Sequence, residues 1–140
     1  MKSVWIFLAI SLFIFGCGSG NVDSSKTFDK SVSEQDTVRI ANDSLEYEII
    51  IVEPGFNTWL ISQPPKGYYG QTYLETKNRM FVADYNSRVL QPAKFSPSLY
   101  PEQINYDPTV DYGYDVNYLL FNYFMYFQEK YNQQLTGGRK

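Results

Sequence analysis

Apolar and polar positions divide the chain into segments of different period. Residues 4–15 form one apolar run, VWIFLAISLFIF, interrupted only by Ser11. Residues 18–43 are rich in Ser, Asp, Gly and Lys and sustain neither a period of 2 nor one of 3.6, which predicts a flexible linker. From Leu45 the pattern alternates. Leu45, Tyr47, Ile49 and Ile51 share the core face of a predicted strand, Glu46 and Glu48 face out, and Ile50 and Val52 are expected to be covered. Glu53-Pro54-Gly55-Phe56 fits a type II turn, because Pro54 presets φ near −65° and Gly55 supplies a positive φ. Phe56–Ile61 then reads as a second strand, pairing with the first as a hairpin. Type II turns do not suit a tight two-residue hairpin, so a bulge or wider loop is expected there. Pro64-Pro65 ends the strand, since neither residue donates a ladder hydrogen bond.

Beyond the prolines the period lengthens. Tyr68–Leu90 predicts a helix whose stripe is Tyr69, Tyr73, Lys77, Met80, Phe81, Tyr85 and Val89. Thr72-x-x-Glu75 fits a capping box, so regular helix is expected from there. Glu75/Arg79 and Asp84/Arg88 stand four apart and predict ion pairs. Pro92, Pro97, Pro101 and Pro108 make residues 91–110 a long extended loop, either functional or packed across the sheet. Tyr114–Leu135 predicts a second helix. Val116, Leu119, Leu120, Tyr123, Phe124, Phe127 and Tyr131 cover more than one of its faces, which places it centrally or against a partner. Gly137-Gly138 is expected to stop it. The predicted fold class is α+β: a small single domain with a β-hairpin, and room for a further short strand, packed against two helices.

Composition narrows the function classes. The 140 residues suffice for one domain, and an aromatic content of 18% supplies its core. A formal net charge of −3 gives no electrostatic footprint for nucleic acid. Without histidine the commonest general base and zinc ligand are missing, and one cysteine cannot form an internal disulfide.

That cysteine gives the first segment a meaning. Lys2 precedes the apolar run, which falls short of the roughly 20 residues of a membrane span and matches a signal-peptide core. Ile14-Phe15-Gly16-Cys17 resembles a bacterial lipobox, although Phe15 is bulkier than that pattern prefers. The resemblance implies cleavage before Cys17 and acylation of it by diacylglycerol and a further chain such as palmitate. Two or three chains anchor stably. The competing reading is a plain signal peptide, or a span, with an incidental cysteine. The expected organisation is a lipoprotein signal peptide (1–16), a lipidated tether (17–43) reaching about 25–30 Å, an aromatic-rich domain (44–138) and a tail (139–140).

Three further stretches are candidates for chemistry. Asp107, Asp111 and Asp115 space oxygens as a calcium loop does, but the glycine stands seventh and the twelfth position is Tyr118 rather than glutamate. Asp111 as a helix cap and Asp115 beside the helix dipole explain the same residues. Lys66, Tyr68 and Tyr69 form the densest candidate binding surface for sugars, against the alternative of a simple strand-to-helix connection. No catalytic constellation is visible. A hydrolase would rest on carboxylates alone, Glu102, Asp107 or Asp111.

EYEIIIVEPGFNTWL, QPPKGYYGQTYLETKNR, YNSRVLQP and INYDPTVDYGYDVNYLLFNYF are distinctive strings. Over about Tyr47–Gly138 the chain resembles an uncharacterised lipoprotein family of Bacteroidota. That resemblance implies lineage and delivery and carries over no catalytic residues. In that lineage Asp36-Thr37-Val38 and Asp43-Ser44-Leu45 match the Asp-(Ser/Thr)-apolar acceptor for O-glycosylation at Thr37 and Ser44. Surface export there follows acids soon after the cysteine. The first acid here is Asp23, which favours the periplasmic face of the outer membrane over the cell surface. The expected function is a lipid-anchored envelope protein with a non-catalytic binding or structural role and no cofactor. Its expected partners are the membrane, through the anchor, and an envelope protein or glycan. A glycan- or peptidoglycan-binding module is the alternative.

Overall fold

The computed structural model describes residues 36–138. The signal peptide, Cys17, most of the tether and the 139–140 tail lie outside the described residues. Two strands and three helices follow in order: β1 (Thr37–Asn42), β2 (Tyr47–Val52), α1 (Phe56–Leu60), α2 (Gln71–Val89) and α3 (Tyr114–Lys130). The α+β class and the two-stranded antiparallel hairpin are as the pattern predicts. Among the described residues no helix is long and apolar enough to cross a membrane.

The hairpin is built from a different partner. β2 pairs with β1, Val38 opposite Ile51 and Ile40 opposite Ile49. The ordered domain therefore begins inside the stretch read as tether, and the boundary at 43/44 moves back to at least Asp36. Val38 and Ile40 are the reason: both are buried, and they complete a face already carrying Tyr47, Ile49 and Ile51. A single 3-10 turn joins the strands. Asn42 accepts from the Ser44 amide at 3.0 Å, and Glu46 closes the turn with a φ of 52°.

Pro54-Gly55 forms the predicted turn, with Gly55 at φ 87° and the Phe56 amide donating to the Glu53 carbonyl at 3.3 Å. The residues after it are helical rather than extended, which corrects the predicted second strand. Phe56, Trp59 and Leu60 stand at i, i+3 and i+4, so one helical turn buries Phe56 and lays Trp59 on Tyr126. Alternation would have exposed half of them.

α2 starts two residues earlier than the Thr72 capping box requires. Gly70 is its N-cap, the Leu74 amide donates to the Gly70 carbonyl, and Glu75 accepts from Gln71 instead of pairing with Arg79. Asp84 and Arg88 do pair. The buried stripe is Leu74, Asn78, Phe81, Val82 and Tyr85, rotated from the predicted one, so Tyr73 and Met80 are exposed. α3 is buried nearly all round, as predicted of a central helix, but ends at Lys130 instead of Leu135. Asn132 takes the left-handed conformation (φ 49°). Its amide donates to Glu129, and the Gln133 amide donates to Gln128, which is a Schellman stop. Gly137-Gly138 are not the terminator; they pack against Met80 and Gln128.

Candidate functional site

The alternation of β2 continues one residue past the strand. Tyr47, Ile49, Ile51 and then Glu53 point inward, and Glu53 is only 5% exposed. A buried carboxylate requires partners. Lys130 donates to its Oε1 at 2.6 Å and the Tyr131 hydroxyl at 3.0 Å, both from the end of α3. Burial lowers the pKa of the Lys130 ammonium, but the hydrogen bond and charge of Glu53 outweigh that and hold it above its ordinary value. Burial, with Glu53 adding to it, also raises the Tyr131 hydroxyl.

Glu48, Ile50 and Val52 occupy the other parity. Ile50 is 58% and Val52 55% exposed, so they are not covered as the sequence led us to expect. On the flank of β2 away from β1, a groove of about 530 Å³ separates the strand from the 98–105 loop. This volume is in the range of ligand-binding clefts. All six residues Glu48–Glu53 line one side, and Leu99, Glu102 and Ile104 stand opposite.

The floor is aromatic: Tyr85, Tyr123, Phe127 and Tyr131. Burial pushes the Tyr85 hydroxyl up to about 12 and raises Tyr123 further. These hydroxyls therefore stay protonated, as hydrogen-bonding groups rather than bases. The loop wall is held from two sides. The Asn86 side chain exchanges two 2.8 Å bonds with the Ile104 backbone, and the Tyr47 hydroxyl donates to the Asn105 carbonyl at 2.6 Å. The proline-rich segment is thus packed beside the sheet, one of the two predicted outcomes for it.

The sequence candidates lie elsewhere. Lys66 pairs with Asp115 at 2.7 Å. Tyr68 is 67% exposed and meets Tyr69 edge-on, and Tyr69 stacks on Tyr73. Tyr69 lines a smaller cleft of about 130 Å³ with Tyr73, Lys77 and Phe121. The three aspartates do not converge as a calcium loop would. Asp107 accepts from Thr109, Asp111 from the Gly113 amide and Gln71, and Asp115 from Lys66. Among the described residues no group of three or more metal-ligating side chains is assembled. Asp111 caps no helix: the N-cap of α3 is Gly113, without a side-chain bond. Glu102 lines the large groove; Asp107 and Asp111 do not. Thr37 opens β1 half-buried, and Ser44 is exposed in the turn.

Sequence reasoning missed the groove because its walls come from four separate segments. The one local signal was Glu53, an acid on the inward parity of an apolar strand. A family described as "Family of unknown function (DUF6146)" matches residues 5–139. No curated protein and no solved structure matches the chain.

Proposed function

We propose that this chain, which belongs to the family of unknown function DUF6146, is a lipid-anchored cell-envelope protein with a non-catalytic binding role. The anchor is Cys17 behind its lipobox, in an outer-membrane lipoprotein of Bacteroidota type, with the domain on the periplasmic face. The observation that supports binding is the groove, an aromatic floor beside an exposed strand. Non-catalytic use is supported by the state of its ionisable groups. Lys130, which lies behind Glu53 rather than in the lining, is held charged and so is a poor nucleophile, and the tyrosine hydroxyls of the floor are held neutral. A second reading, a glycan platform, is favoured by the Tyr68-Tyr69-Tyr73 row beside the smaller cleft.

Two measurements test this reading. Cells fed an alkyne fatty acid should label the chain, and Cys17→Ala should abolish the label; labelling that survives the substitution refutes the anchor. A photo-crosslinking residue at Val52 should give an adduct in native envelopes, whereas one at Ile61, 86% exposed outside the groove, should not. Equal adducts, or none from either position, refute the groove as the binding site.

A further inference from the structure

The hairpin register determines which backbone groups face the groove. The Glu53 amide donates to the Asp36 carbonyl at 2.6 Å, so that pair is hydrogen-bonded. In an antiparallel ladder bonded and non-bonded pairs alternate. With Val38 opposite Ile51, Ile40 opposite Ile49 and Asn42 opposite Tyr47, the inward residues of β2 direct their amides and carbonyls to β1. Glu48, Ile50 and Val52 therefore direct theirs away from it, along the free edge. These three line the groove. The opposite wall does not pair with them, since the backbone of Ile104 is taken by Asn86 and the Asn105 carbonyl by Tyr47. A free, apolar and unprotected strand edge is a template for another strand.

The groove fits one kind of strand. Its length along β2, at about 3.3 Å per residue, takes an extended segment of about five residues. A strand added there would continue the inner face of Ile49 and Ile51 over Tyr123 and Phe127, so its inward positions should be apolar. The lining holds Glu48, Glu53 and Glu102 and no lysine or arginine. Glu48 is paired with Arg39 and Glu53 with Lys130, whereas Glu102 has no hydrogen bond or ion pair among the described residues. A basic group on the ligand would meet it. A second copy of this chain would instead bring two acidic rims together. A sugar would leave the repeating amide and carbonyl row of the edge unmatched.

Resting on the binding reading above, we propose that the groove receives an extended segment of a partner protein as a third strand on β2. That segment is apolar at alternate positions and carries a lysine or arginine near Glu102.

The test uses the purified full chain in detergent and a synthetic probe, acetyl-Lys-Val-Thr-Val-Thr-Val-Lys-amide. Titration should give saturable binding, with slowed amide exchange at Ile50 and Val52. N-methylating one alternate set of probe residues should weaken binding at least tenfold, and methylating the other set should not. Ile50→Pro, which removes one outward amide while leaving the β1 ladder intact, should weaken binding as much; circular dichroism checks its fold. Glu102→Lys should weaken it several-fold, with reduced salt dependence. If both methylated sets bind like the parent, strand addition is overturned while the groove remains a binding site. If chitohexaose binds and no peptide does, the partner class is overturned. Concentration-dependent dimers that protect Ile50 without probe assign the edge to a second copy and overturn the proposal, as does failure of the probe to bind.

Discussion

Two seams run through this domain, and they are finished differently. At the first, α2, α3 and the C-terminal segment close on one another. Arg88 grips both oxygens of Asp84 at 3.0 Å and donates to the Tyr100 hydroxyl, which in turn donates a hydrogen bond to the Gln133 side-chain oxygen. Burial alone would raise the Asp84 carboxyl, but the bonds from Arg88 and Thr136 hold it below its usual range. Deeper in, Asn78 donates to the carbonyl and side-chain oxygens of Asn117, and Tyr106 donates to Asn117 as well. At the second seam, β2 and the 98–105 loop stay apart. Aromatic side chains line both, so their presence does not separate the two. The difference is polar: at the first seam side chains complete the Asp84 carboxylate bonds and leave a single buried oxygen, Asn78 Oδ1, without a partner among the described residues, whereas the second leaves a row of backbone groups along a strand edge. Function is best sought where the bonding is incomplete.

The contrast can be broken in several ways. Phe124→Ala at the closed seam should cost about 3–5 kcal/mol in urea denaturation, because Phe124 is fully buried between Phe81 and Tyr85. A loss under 1 kcal/mol would mean that the closed seam is not the stabilising one.

Alkali comes next. The folded Tyr85 hydroxyl ionises near 12 and the unfolded one near 10. In that interval the unfolded chain has lost a proton that the native one keeps. Stability is complete below pH 10 and falls as pH rises toward 12. Tyr85→Phe should flatten the fall by up to about 2–3 kcal/mol, read from thermal melts along the pH series.

Lys130→Met leaves Glu53 buried beside a single hydroxyl. A loss of about 2 kcal/mol is expected, discounted for the partial exposure of the lysine. Glu53→Gln in the same background should recover part of it. No recovery would show that the ion pair does not anchor that end of the groove.

The smallest effect is the most telling. Ile50→Thr should change stability by no more than about 0.5 kcal/mol, since its side chain faces solvent. A core-sized penalty would mean that the edge is covered, and the contrast between the seams would disappear.

Much of the fold was legible because it is local. Both long helices, the Pro54-Gly55 turn and the inward parity of Tyr47, Ile49 and Ile51 follow from spacing and residue type within a few positions. The partner of β2 did not. Val38 and Ile40 are two apolar residues in polar surroundings, and they form a strand only because an apolar face waits across the turn. α1 was misread because FNTWL fits a half-buried strand nearly as well as a helical turn until Phe56 is given the α3 surface to bury against. Of the candidate site, Glu102 was singled out as a possible hydrolase carboxylate, and Glu53 carried a signal in its inward parity.

By itself the sequence determined the two long helices, the turn and the aromatic core, since each rests on neighbours along the chain. Only the tertiary structure decided that Glu48, Ile50 and Val52 present an open backbone edge over an aromatic floor. That outcome depends on which strand occupies the other flank and on where Asn86 and Tyr47 hold the loop. The loop is held by bonds between residues 18 and 58 positions apart, where no local period reaches.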